Sequence, residues 1–256
     1  MNAFPSSAEL KRRAKGQLIG RFTPSVMAEI RVLLLMLLAS MICTNLIDDT
    51  TLLGIVISYV VSFILEMIFS IFQIGLARFY LELSCDRLAR PAVIFSGFRS
   101  QADRAIIAKF WIMLLEILCF APTFVCGMIY NRSGAPAVFM ITCFVFALSL
   151  ILALYVEIIY SQVYCIMADF PEKSAREVLS LSRHVMHGHR FRYLYIQISL
   201  IPYYLVSVLS FGFALLWVVP YRRMICANFY LNLFEGSRDT SSFDVPQDTS
   251  TFDVTV

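Results

Sequence analysis

Charge is scarce in this chain: Asp, Glu, Lys and Arg make up 15% of its 256 residues, against about a quarter in a soluble domain, and 59% of residues are hydrophobic. With a mean hydropathy of +0.74, an ordinary water-soluble fold is excluded. The seven cysteines (Cys43, Cys85, Cys119, Cys126, Cys143, Cys165, Cys226) contain no CxxC and no short Cys/His ligand spacing. That excludes a zinc site or a disulfide framework and leaves them as small apolar fillers. HExxH, GxSxG, a phosphate loop and the paired-acid motif of membrane proteases are all missing, and no histidine falls inside an apolar run. The chain therefore reads as a non-enzyme, with no cofactor and no metal. Nucleic acid is not indicated either, because membrane topology already accounts for the basic loops.

What is present is a series of apolar runs. Those near 26–47, 52–77, 105–130 and 137–164 are each long enough for a transmembrane helix. The run at 32–47 follows a basic N-terminal stretch but ends in no small-x-small cleavage site. Ile42 ahead of Cys43 also spoils a lipoprotein-type site, so the first helix is expected to stay in place.

Residues 193–234 fit either one long helix or two helices hinged near Ser210, Phe211 and Gly212. Charge favours the hairpin, 193–210 and 212–234, because it returns Arg222, Arg223 and Arg238 to the side that carries the other cations. On that side lie Lys11, Arg12, Arg13, Lys15 and Arg21, then Arg78, Arg87, Arg90, Arg99 and Arg104, then Lys173, Arg176, Arg183, Arg190 and Arg192. The opposite turns hold Asp48 with Asp49, and Arg132 alone. The predicted fold is all-α: a polytopic membrane domain over 1–234 with about six transmembrane helices in three hairpins, amphipathic basic elbows on the cytoplasmic face and both termini cytoplasmic.

The third elbow has helical spacing, with Ala175, Val178, Leu179, Ser182, Val185 and Met186 on one face and Lys173, Arg176, Arg183 and His187 on the other. Ser174 with Glu177 fits a capping box, Gly188 a stop, and Ser6 with Glu9 the same start signal in the first elbow. Such helices are expected to lay their apolar faces into the acyl boundary and their cations toward anionic headgroups. Residues 235–256, rich in Ser, Thr and Asp, read as a disordered polar tail in which FDV recurs at 243–245 and 252–254.

Glu66, Glu116 and Glu157 fall inside apolar helices, where an ionisable group faces the bundle interior or a water-filled cavity and finds a partner. Each is either functional or a protonated or paired group that orients helices. Arg222 and Arg223, about ten residues into the last helix, come to a depth comparable with Glu157, which predicts that Glu157 pairs with one of them. Pro122, Pro202 and Pro220 interrupt spans, as in helices that line transporter sites, although kinks also occur in helices that bind nothing. Arg183, His184, His187, His189, Arg190 and Arg192 cluster as a basic, mildly pH-sensitive headgroup patch, favoured over a metal site because no carboxylate or thiolate is near in sequence.

Several stretches carry a family likeness: SAELKRRAK at 7–15, IGLARFY at 74–80, FSGF at 95–98, LSR at 181–183, MHG at 186–188, PY at 220–221 and NFY at 228–230. On these the chain resembles bacterial multi-pass membrane proteins of domain-of-unknown-function family 975 over most of residues 7–233. The family has a Trp after a Ser-Phe pair in its fifth helix, where this chain has Ser199, Pro202 and Tyr203. The resemblance implies a bacterial plasma membrane and a six-helix domain, and carries over no catalytic residue. Two functions follow as expectations: a permease-like or accessory transport component with the three glutamates along a polar path, or a scaffold that organises anionic lipid, a membrane-protein partner or a second copy.

Overall fold

The computed structural model describes residues 6–47, 51–85, 90–100 and 102–239; Asp48, Asp49, Arg87 and residues 240–256 lie outside them. Eleven α-helices and one 3-10 turn are found among the described residues, with no strand. They are α1 (Ser7–Leu18), α2 (Phe22–Leu46), α3 (Leu52–Ser84), the 3-10 turn (Pro91–Phe95), α4 (Ser96–Ser100), α5 (Ala102–Ser133) and α6 (Pro136–Tyr160). Then come α7 (Val163–Asp169), α8 (Ala175–Val185), α9 (Arg190–Ile198), α10 (Ile201–Leu209) and α11 (Leu215–Asp239).

Among the described residues, four helices are long and apolar enough to cross a membrane: α2, α3, α5 and the continuous stretch Pro136–Asp169. The last three run 32 to 34 residues, whereas about 20 suffice for a ~30 Å hydrocarbon layer. The surplus lies at one end. In α3 the large exposed side chains stop at Ile68, and from Phe69 to Ser84 most side chains are buried. The same division falls near Ile112 in α5 and between Tyr155 and Ile159 in α6. The packed interior is thus a base at one end of the long helices, surrounded by α1, the 3-10 turn, α4 and α7 to α9.

The elbows form this base for local reasons visible in the sequence. Ser174 accepts from the Glu177 N–H at 3.4 Å while Glu177 accepts from the Ser174 N–H at 2.9 Å, which closes the capping box of α8. Ser6 caps α1 in the same sense, accepting from the Glu9 N–H. At these positions the apolar faces expected at the acyl boundary pack against the chain's own core: Leu10, Ala14 and Leu18 of α1 share one cluster with Met186, Val178 lies in the adjoining cluster with α5 and α7, and all are essentially inaccessible. Ser182 donates to the Ile159 carbonyl at 2.8 Å, fixing α8 on α6. Lacking any sequence-local signal of this packing, the amphipathic pattern alone could not tell protein from bilayer.

Glycine sets how closely the second elbow docks. A Cβ on Gly75 would lie 1.9 Å from the Ile94 carbonyl oxygen, and one on Gly97 would lie 2.5 Å from that of Ile71. Only a bare α-carbon allows these backbones to meet. Beside the crossing, Phe72 has the rings of Phe69, Phe95 and Phe98 at 5.5, 5.9 and 4.8 Å.

The segment expected to supply a fifth and sixth span differs. Residues 193–210 are not one helix: α9 ends at Ile198, and α10 starts afresh with Pro202 in its first turn, where the missing amide breaks the ladder. Tyr193, Ile196 and Leu200 belong to the base, and so does α11 from Val218 to Leu233. Only residues 201–217 stand clear of it, so α10 rises about 14 Å at 1.5 Å per residue. That falls short of a ~30 Å hydrocarbon layer. The last helix, α11, runs on to Asp239, into the stretch expected to be a disordered polar tail; the rest of that tail, with both FDV repeats, lies outside the described residues.

Two outcomes are expected. Gly75→Ala, forced against a backbone carbonyl, lowers stability in detergent by about 1–3 kcal/mol, whereas Gly127→Ala, with nothing within 4 Å, leaves it unchanged or slightly raised; thermal unfolding measures both. The two Ser174 hydrogen bonds hold the Glu177 carboxyl below the usual carboxylate range. Its stabilising contribution is therefore complete above the unfolded value and is lost as pH falls through the lowered folded value. The melting difference between the chain and Glu177→Ala should shrink along that descent.

Candidate functional site

Where the long helices enter the base, each turns a polar stripe inward at helical spacing. From α3 come Glu66, Gln73, Ala77 and Tyr80; from α5, Lys109, Ile112 and Glu116; from α6 and α7, Glu157, Tyr160 and Tyr164. The last helix, α11, adds Val219, Arg222, Arg223 and Cys226, and α2 adds Glu29. These side chains line two adjoining cavities. The larger, about 400 Å³, holds Glu116, Glu157, Arg222 and Tyr80; the smaller, about 310 Å³, holds Glu29 and Glu66. Gln73, Lys109, Tyr164 and Arg223 border both. The three glutamates singled out from sequence thus gather around one shared wall.

Among the described residues, three ion pairs cross between helices. Arg223 Nε lies 2.6 Å from Glu29 Oε1, joining α11 to α2; neither atom is in an aligned hydrogen bond, so the contact is one of charge. Lys109 Nζ lies 3.4 Å from Glu66 Oε2, joining α5 to α3. Arg222 Nη2 lies 3.9 Å from Glu157 Oε1, joining α11 to α6. The first is the most enclosed, with Glu29 14% exposed against 64% for Glu157. Glu116 is the one cavity carboxylate with no cation within 4 Å among the described residues. Tyr80, 1% exposed, places its hydroxyl on the larger cavity, near the Glu29 carboxylate of the smaller one.

The matching family model, described as a protein of unknown function (DUF975), covers residues 1–237. The chain belongs to this family. No curated protein and no solved structure matches it. The DUF975 match takes in every residue of both cavities, and the stretch 74–80 that carried the resemblance supplies Gly75 to the elbow crossing and Ala77 and Tyr80 to the larger cavity.

Glu29 and Lys109 are the functional candidates that sequence reasoning missed. Both sit within a turn or two of the ends of apolar runs, where a charge attracts no notice. A helical wheel would have placed Lys109 in line with Glu116, seven residues on, and Glu29 in line with Val32 and Met36.

The basic cluster of α8 and α9 is divided rather than continuous. Arg183 donates to the Tyr160 hydroxyl at 2.7 Å, Arg190 to that of Tyr155 at 2.5 Å, and Arg192 to Asn232 at 3.1 Å. Their guanidinium groups stack near the rings of Tyr160, Tyr155 and Phe229. His184 and His187 are exposed, while His189 is half-buried. Burial, and then the Arg192 charge, lower the pKa of its imidazole from the ordinary histidine value. Among the described residues no group of three or more His, Cys, Asp or Glu is placed to hold a metal ion.

The enclosed pair gives a direct test. Glu29→Gln strands Arg223 and should lower stability by about 3–5 kcal/mol, whereas Glu157→Gln, at a looser and wetter pair, should cost about 1 kcal/mol or less. Glu29→Gln with Arg223→Gln should cost less than the sum of the two single changes. Thermal unfolding of the four proteins of the cycle in one detergent decides it, and strict additivity would remove the pair as an energetic unit.

Proposed function

We propose that the chain is a multi-pass integral membrane protein of a bacterial plasma membrane and acts as a permease-like or accessory transport component, without enzymatic activity. In this reading the four long helices span the bilayer, α10 and the start of α11 dip into it, and the base faces the cytoplasm with both termini. The grouping of nearly all elbow cations at the base, against Arg132 at the opposite end, supports that orientation.

The observation that carries the reading is the gathering of Glu66, Glu116 and Glu157 on two contiguous polar cavities at the inner end of apolar helices. A scaffold needs buried pairs but no polar chamber. Three of the four cavity carboxylates are matched by Lys109, Arg222 and Arg223, and Glu116 is left over. A lone carboxylate at this depth is stable only when it takes up a proton or a cation, and a group that exchanges one is what a coupled permease requires. Glu116 is the proton-exchanging residue, with the Lys109, Glu66 and Glu157 charges acting on it.

Liposomes loaded with a pH-sensitive dye, containing the reconstituted chain and driven by a potassium diffusion potential, test this. Proton uptake should exceed that of empty liposomes and should fall about tenfold in Glu116→Gln, a single acid–base group contributing typically 10²-fold or more when chemistry limits the rate. Uptake equal to that of empty liposomes, or an unchanged rate in a well-folded Glu116→Gln, would overturn the assignment.

A further inference from the structure

A third cavity, of about 460 Å³, lies on the outer side of the base between α5 and α8. Its floor is apolar: Trp111, Ile112 and Leu115 of α5 face Leu179 of α8. Its rim carries Arg176 and Arg183 and no carboxylate. The two arginines are seven residues apart, so they share one face of α8 about two turns, or 10.5 Å, from each other. Neither has a carboxylate within 4 Å among the described residues, and Arg183 donates to the Tyr160 hydroxyl.

The level of the groove matters as much as its charge. Trp111 is 22 residues from the far end of α5, about 33 Å along the axis. If the apolar helices lie in a bilayer, that is the inner hydrocarbon boundary, where an indole ring is most at home. Beyond it the exposed Leu114, Ile117 and Leu118 continue along α5 as an apolar track. An occupant must therefore have a negative head for two guanidinium groups and a long apolar tail that leads away from them.

We infer that the α5–α8 groove is a seat for one anionic phospholipid, its phosphate between Arg176 and Arg183 and an acyl chain along Trp111 and Leu115. The inference rests on the bilayer reading of the long helices and not on transport, because it involves neither Glu116 nor proton movement. Charge selects the lipid class: two unmatched cations favour a phosphate without a choline, at about fivefold in affinity per arginine at a membrane surface.

Native mass spectrometry of the detergent-purified chain, titrated with phosphatidylglycerol and separately with phosphatidylcholine of the same chain length, tests it. One phosphatidylglycerol should be retained with at least several-fold preference. Arg176→Gln should lower that retention about fivefold, Arg183→Lys less, and Arg12→Gln on the distant α1 not at all. Arg176 is exposed and in no ion pair among the described residues, so its variant keeps the test open even if replacing Arg183 disturbs Tyr160. Glycerol 3-phosphate provides the remaining arm: binding as tight as the lipid's would make the site one for free phosphate and overturn the seat. Equal retention of the two lipids, or equal loss in Arg176→Gln and Arg12→Gln, would also overturn it.

Discussion

The contacts between Glu29 and Arg223, Glu66 and Lys109, and Glu157 and Arg222 bind five helices that hydrophobic packing alone would not align. Hydrocarbon gives apolar helices little reason to prefer each other over lipid, so position has to come from directional or charged contacts. Consecutive residues on a helix diverge by about 100°. That is why Arg222 and Arg223 reach different neighbours, α6 and α2, and why α11 serves as the strut between two sides of the bundle. A charge here is tolerable because its partner comes from another helix. Removing one partner exposes the full desolvation cost of the other, so the pairs enforce the assembly more than they add net stability.

The base makes those pairs possible by fixing the helix ends. Its close crossings come from small residues, Gly75 beneath Ile94 and Gly97 beneath Ile71. Long-range polar bonds then fasten the elbows: Gln17 donates to the Ser84 carbonyl at 2.8 Å and accepts from Asn228 at 2.7 Å, and Tyr230 donates to Asp169 at 2.8 Å. Beyond the base the apolar halves have few such ties. Thr123 and Ser149, 2.9 Å apart, join α5 to α6 there. The polar ties and close crossings are thus concentrated at the end that holds the polar chamber, and the apolar ends of the long helices carry few of them.

The sequence made the four long helices legible because twenty apolar residues in a row admit few other structures, and it made the start of α8 legible because Ser174 and Glu177 are a local signal. It flagged Glu66, Glu116, Glu157, Arg222 and Arg223 because a charge among apolar neighbours is conspicuous. What stayed hidden depends on which helix lies next to which. Arg183, Arg190 and Arg192 read as headgroup cations, yet their partners Tyr160, Tyr155 and Asn232 are 23, 35 and 40 residues away. Glu29 escaped notice for the complementary reason: it lies at the edge of its apolar run, and only the arrival of Arg223 from the far end of the chain gives it a role. The break at Ser199 and Leu200 was half-legible, since Pro202 forbids a regular ladder without saying how far α10 then rises.

Tyr160 and Ile112 are the two residues common to the charged chamber and the outer groove. Tyr160 lies one turn beyond Glu157 on the same helix, and its hydroxyl is engaged by Arg183 from the groove side. A negative group drawn to Arg183 competes with that phenol for the guanidinium, and a phenol released from Arg183 borders a chamber containing Glu157 and Arg222. The wall between the arginine-rimmed groove and the ion-paired chamber is therefore one side chain thick at Tyr160. A change at Arg183 has a direct physical route to the chamber through this ring.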